Sequence, residues 1–166
     1  MAIRPIRAHG DPVLRQPTVP VADIDESLAR LVDDMFETMY DAPGVGLAAN
    51  QVGVQKRLFV WDIGDSKGVA INPRVEGHAG EWVYDEGCLS VPGLFWPIAR
   101  PKLVRLTALD LGGNEFSIDA DEMEARVFLH ETDHLDGILL LERLDAEQRR
   151  QAKRELRGRV LDLDRR

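Results

Sequence analysis

The chain's 166 residues fit one domain, residues 1–166, long enough to bury a core without disulfide staples. Lys and Arg number 21 against 29 Asp and Glu, a formal net charge of -8, which argues against a general nucleic-acid binder; the one local basic patch, Arg149–Arg159, is interleaved with acids and reads as a solvated helix face. The single cysteine excludes an internal disulfide and suits a reducing compartment, and no run approaches the ~20 apolar residues that span a bilayer. The expectation is a cytoplasmic chain with neither membrane nor direct sequence-specific nucleic-acid contact.

Pro5, Pro12, Pro17 and Pro20 make the first twenty residues extended and irregular, laid against the body. Asp23 or Asp25 is placed to cap a helix reaching about Tyr40, in which Leu28, Leu31, Val32, Met35, Phe36 and Met39 share one face at three-four spacing. Ala42-Pro43-Gly44 stops it. Residues 44–53 are small and glycine-rich, as in a tight loop whose backbone must approach something closely. Residues 58–63 and 68–72 read as strands about a Gly64-Asp65-Ser66 turn. Residues 81–84, 103–110 and 115–118 are further strands, the last two joined by a hairpin at Leu111-Gly112-Gly113-Asn114. Asp119 or Asp121 can cap a second helix through about Leu135, closed by Gly137, followed by a short apolar run at 138–141 and a charge-rich helix at 146–158. Strands in the middle with helices at both ends predict an α+β fold, with antiparallel or mixed β-sheets packed around a central helix and helices at the N- and C-terminal ends.

His130-Glu131-Thr132-Asp133-His134 lies within the second helix and carries the chemistry. Residues four apart in a helix stand about 6 Å apart along the axis and about 40° apart around it, so two imidazoles so spaced can bind one metal ion from the same side. Glu131, next to the first imidazole, is placed to reach a water on that metal.

A catalytic site of this kind takes three protein ligands and leaves a position open, so a third is required. A histidine six residues past His134 is absent, since that position is Leu140. Glu155 stands at the downstream distance of a thermolysin-like ligand, but among Arg150, Lys153, Arg154 and Arg157 on a solvated helix face, where surface ion pairing competes. Cys88 is the remaining candidate. A lone cysteine is ordinarily a small buried hydrophobe, yet this one follows a predicted strand and precedes Pro92-Gly93.

Three segments, in this order, resemble peptide deformylases: Gly44-Val45-Gly46-Leu47-Ala48-Ala49-Asn50-Gln51, Glu86-Gly87-Cys88-Leu89-Ser90, and the helix motif continued through Leu135-Asp136-Gly137. The likeness runs from His9-Gly10-Asp11-Pro12 to about Leu144, with one departure: Leu129 stands where the family usually has Gln, which puts a ligand-orienting hydrogen bond in question. The resemblance implies Cys88, His130 and His134 as ligands of one divalent metal ion, Fe2+ first, with Zn2+, Ni2+ or Co2+ able to occupy the site. It implies hydrolysis of N-formylmethionyl peptides of nascent chains, with a transient ribosome contact. Water activated at the metal attacks the formyl carbonyl, Glu131 serves as general base and then acid, and the Gln51 side-chain amide and the Leu89 backbone N–H receive the developing oxyanion. Gly44 and Gly46 let backbone pair with an extended substrate, and Val45 with Val127 line an apolar pocket for its methionine, although Val127 also suits plain core packing. Residues 92–97 form an apolar rim, and Arg100 either attracts a peptide carbonyl or makes a salt bridge. Two other readings stay open: a zinc peptidase using His130, His134 and Glu155, and a catalytically silent metal-binding protein.

Overall fold

The computed structural model describes residues 2–163, with side chains through residue 159. Its elements run α1 (Glu26–Asp41), β1 (Gly46–Ala48), β2 (Leu58–Asp62), β3 (Lys67–Ala79), β4 (Trp82–Cys88), β5 (Val91–Arg100), β6 (Leu103–Leu109), β7 (Glu115–Asp121), α2 (Glu122–Leu135) and α3 (Ala146–Leu163), with short 3-10 turns between. Asp25 caps α1: its backbone is extended and its Oδ1 accepts the Leu28 N–H at 2.9 Å. Asp121 stands at the start of α2, but its side chain makes no capping bond there.

Five strands form one antiparallel sheet in the order β1-β2-β3-β6-β7, and β4 and β5 pair separately as a two-stranded hairpin. The five-stranded sheet is covered on both faces. Leu47, Leu58, Val60 and Ile71 pack against Leu28, Leu31, Val32, Met35 and Met39 of α1, while Ala48, Phe59, Trp61 and Leu106 pack against Val127 and Phe128 of α2. The two-residue alternation of a strand sorts β2 between these clusters, which is why residues 58–61 are all buried and read as a continuous apolar run. A third cluster joins Val91, Trp96 and Ile98 of the hairpin to Leu140, Leu141, Leu144 and Ala152. The structure therefore has the expected α+β architecture, with α2 central.

Three differences from the sequence reading have physical causes. Residues 46–48 are not loop but the strand β1, paired Gly46 to Trp61 and Ala48 to Phe59; three small residues give too short a pattern to announce a strand. β3 continues past Asn72-Pro73 to Ala79, because a register shift between Ile71 and Arg74 absorbs the proline. Asn72 takes φ 51 at this bulge, and its amide bonds both the N–H and the carbonyl of Val21, holding the N-terminal arm. Residues 92–97 belong to β5, a strand that its two prolines obscure; Pro92 to Phe95 line the cleft, as the rim reading expects, while the Trp96, Ile98, Arg100 face is buried.

Candidate metal centre

Two structural bodies supply the site. α2 carries His130 and His134 on one face, and the β4–β5 hairpin carries Cys88 at the residue before its Leu89-Ser90 turn, where Cys88 pairs with Val91. The ligand atoms of Cys88, His130 and His134 all lie within 4.8 Å of one another. Cys88 Sγ is 3.2 Å from His134 Nε2, and the two Nε2 atoms are 3.1 Å apart. Ligand bonds of 2.0–2.3 Å in tetrahedral array set such separations at about 3.3–3.6 Å, so small shifts admit one ion. Burial opposes a thiolate at Cys88, but the imidazoles of His134 and His130 draw its pKa well below the usual thiol value. The donor set, one anionic sulfur and two imidazoles, fits a divalent transition metal.

Glu86, two residues before Cys88 on β4, faces the same side and accepts from His130 Nδ1 at 2.6 Å. That bond leaves Nε2 for the cluster and fixes the ring, the arrangement typical of ligating histidines. Burial alone would raise the Glu86 pKa, yet the bonds from His130 and Arg100 hold it well below the usual carboxylate range. Arg100 grips both Glu86 oxygens, at 2.8 and 2.7 Å, and reaches Asp133 of α2 at 2.9 Å, so its salt-bridge reading is the correct one. Arg126 donates to Glu86 Oε2 at 2.7 Å. Neither Glu86 nor Arg126 is singled out by sequence reasoning. A carboxylate two residues before the cysteine and an arginine four before His130 were the available signals.

Leu129 packs into the α2–sheet cluster, and His130 takes its orientation from Glu86. The Asn50 amide donates to the His134 carbonyl at 2.6 Å, tying β1's following turn to the motif helix.

A cleft of about 600 Å³ opens over this cluster, lined by Gly44, Val45, Gly46, Gln51, Leu89 and Val127 together with Cys88, His130 and Glu131. Glu131 is buried, its Oε2 has no hydrogen-bond partner, and burial raises its pKa. Gln51 is held at both ends of its amide: Oε1 accepts from the Ala48 N–H at 3.0 Å, and Nε2 donates to Ser90 Oγ at 3.1 Å while lying 3.7 Å from Cys88 Sγ. The amide nitrogen thereby stands in the cleft wall beside the sulfur, one N–H on Ser90 and the other toward Cys88. Val127 is buried and Val45 half-exposed, and a Cβ built on Gly44 would stand 2.7 Å from the Leu89 side chain, so that glycine permits the two banks to meet. Glu155 is exposed on α3 and is not part of the ligand cluster, which overturns its reading as third ligand.

A model of the polypeptide deformylase family matches residues 3–150. A peptide deformylase of Acidothermus cellulolyticus is 49% identical over 161 residues, spanning 95% of this chain and 87% of its own. One from Clostridium botulinum is 54% identical over 143 residues, 86% of this chain and 97% of its own. Among solved structures, a peptide deformylase from Legionella pneumophila superposes with a TM-score of 0.92 at 42% identity over 99% of both chains. One from Ehrlichia chaffeensis, in complex with actinonin, gives 0.91 at 37% identity over 96% of this chain and 98% of that one.

Proposed function

The chain belongs to the polypeptide deformylase family, and on that premise we propose that it is a metal-dependent hydrolase that removes the N-formyl group from the N-terminal methionine of new polypeptides, releasing formate. The observation that carries the reading is the meeting of the Cys88, His130 and His134 donor atoms at a cleft beside a buried, unpartnered carboxylate oxygen of Glu131. Cys88, His130 and His134 hold the metal, Fe2+ being the assignment that the family resemblance implies, with Zn2+, Ni2+ or Co2+, which the same donors also take, as substitutes. The bound ion supplies Lewis acidity, lowering the pKa of water and polarising the formyl carbonyl.

The protein's own groups do the rest. Glu131, whose raised pKa brings it nearer neutrality, accepts the proton of the attacking water and passes it to the leaving amine. The Gln51 amide and the Leu89 N–H face the former formyl oxygen and stabilise its developing charge. β1 (Gly46–Ala48) is the edge strand of its sheet, so Gly46 offers backbone to an extended substrate, Gly44 and Val45 line the same bank, and Val127 and Val45 receive the methionine side chain.

No helix among the described residues is long and apolar enough to cross a membrane, and we assign the protein to the cytoplasm, where formylated chains emerge. A transient ribosome contact follows from that substrate, and residues 1–166 act as one catalytic domain. The test is anaerobic purification with metal analysis, then formate release from formyl-Met peptides and acetate release from acetyl-Met peptides, side by side. One metal per chain and selective deformylation are expected; a metal-loaded protein that leaves formyl-Met peptides intact would refute the assignment. Competition by actinonin, with which the Ehrlichia chaffeensis protein was solved, is the accompanying expectation.

A further inference from the structure

The three ligands sit on two bodies whose mutual position no backbone ladder fixes, because β4 and β5 form a sheet of their own. Moving the hairpin by an ångström relative to α2 would carry the Cys88 sulfur out of range of the imidazoles. Side chains must set this register, and one makes more of the joining bonds than any other among the described residues. Arg126 projects from α2, four residues before His130 and hence on the same face. It is 3% exposed. Its Nη1 donates to Glu86 Oε2 at 2.7 Å and to the Ile98 carbonyl at 2.8 Å, and its Nη2 donates to the Trp82 carbonyl. Its guanidinium also lies over the Trp82 ring, 5.4 Å from the centroid. One side chain of α2 thus engages both strands of the hairpin, Trp82 and Glu86 on β4 and Ile98 on β5.

The bonds close a loop through the metal centre. Arg126 and His130 leave successive turns of α2 and meet on the Glu86 carboxylate, one at each oxygen. Two residues farther along β4 is Cys88. Backbone carbonyls fix the height of the hairpin along the helix, and the shared carboxylate fixes its distance. Arg100 reaches Glu86 and Asp133 from β5, holding the far side of the same carboxylate. We propose that Arg126 is a positioning residue for the metal centre: it locks the β4–β5 hairpin, and with it the Cys88 thiol, in register with the two imidazoles of α2.

The proposal rests on the reading that Cys88, His130 and His134 hold the metal, and its test separates the two. Cobalt(II) is loaded into the wild-type protein, Arg126→Met, Arg126→Lys and Cys88→Ser. The readouts are the thiolate-to-cobalt charge-transfer band, the rate of cobalt release to a chelator, and kcat and KM for a formyl-Met peptide. In Arg126→Met the sulfur band weakens or shifts, cobalt leaves about 10–100-fold faster, and kcat falls with little change in KM. Arg126→Lys, which keeps a cation beside Glu86 but only one arm, recovers part of each. A folded Arg126→Met protein with the wild-type band and release rate overturns the proposal, even with a lowered Tm, since that is a merely structural role. So does a change confined to KM, which makes Arg126 only a wall of the cleft. If Arg126→Met fails to fold, Arg126→Lys is judged by the same criteria. If the wild-type band is absent and Cys88→Ser has the same spectrum, the ligand assignment itself is overturned, and this proposal with it.

Discussion

Gly46 tests whether the site depends on geometry finer than its residue list. The glycine lies on β1 with ordinary strand pairing to Trp61 and is buried. A Cβ built there would stand 2.6 Å from Glu131 Oε1, 3.1 Å from its Cδ and 3.0 Å from Val127 Cγ1. Carbon and oxygen approach comfortably at about 3.3–3.6 Å, so Gly46→Ala drives the Glu131 carboxylate back by roughly 0.7–1 Å. Misplacement on that scale costs about 100-fold where a reacting group must be aligned. We therefore expect kcat to fall by about 10–100-fold while the metal is retained. Backbone strain is not the cause, because Gly46 has no positive φ, and alanine in place of glycine restricts the unfolded chain by roughly 0.4–1 kcal/mol in favour of folding.

The assay is formate release at saturating formyl-Met peptide, with metal content and thermal unfolding measured on the same samples. Gly158→Ala is the matched control. It sits in α3 with nothing within 4 Å of its built Cβ, so the same exchange should raise helix stability by about 1 kcal/mol and leave turnover alone. Wild-type kcat in Gly46→Ala would refute the reasoning, since it would mean that a methyl group against the Glu131 carboxylate leaves catalysis indifferent.

Glu131→Gln keeps the shape of the cleft and should retain the metal, yet lose kcat by about 100- to 10,000-fold; near-normal formate release would remove Glu131 from proton transfer. Glu86→Gln leaves Arg100 and Arg126 facing a neutral amide in a buried site, and breaking such a pairing costs about 3–5 kcal/mol. Urea unfolding should register that loss together with weakened metal retention, and an unchanged midpoint would show that the network is not coupled as its distances suggest. Asp34 gives the pH dependence. The Arg4 guanidinium and the Ala2 N–H hold its carboxyl below the ordinary value, so its contribution to stability is complete above the unfolded pKa and vanishes as pH falls through the lower folded one. The Tm gap between wild type and Asp34→Asn should therefore be widest near neutrality and narrow below about pH 4; a gap that widens in acid contradicts the pairing.

Much of the fold is legible because amphipathic period and caps are local properties. α1 shows its buried stripe and its Asp25 cap, and α2, ending at Leu135, is closed by Gly137, which takes φ 74 and lies so close to Arg15 that a Cβ would stand 2.7 Å from that residue's carbonyl oxygen. Lost were the segments where tertiary pairing overrides local chemistry. β1 is three small residues long and exists through its register with β2. β5 contains Pro92 and Pro97, which mark it as broken, yet Trp96 opposite Glu86 keeps it paired.

The site divides along the same line. His130, Glu131 and His134 announce themselves because a helix makes them neighbours, whereas the thiol is recognisable only through the segment around it. Glu86 and Arg126 carry only a faint signature, their spacing from Cys88 and His130, and Arg100 leaves two readings open: an isolated charge in a sequence looks like solvated surface until a fold removes the solvent. Their burial is not explained by stability alone, since well-packed apolar side chains would join the hairpin to α2 about as strongly or more so. What apolar packing lacks is direction. A leucine cluster tolerates a slide of an ångström, while a carboxylate shared between Arg126 and His130 has its bonds satisfied at one register of strand against helix. On the proposed ligand set, a cation shared by a sulfur on one body and two nitrogens on the other would demand that single register, which a buried charge network supplies where apolar packing cannot.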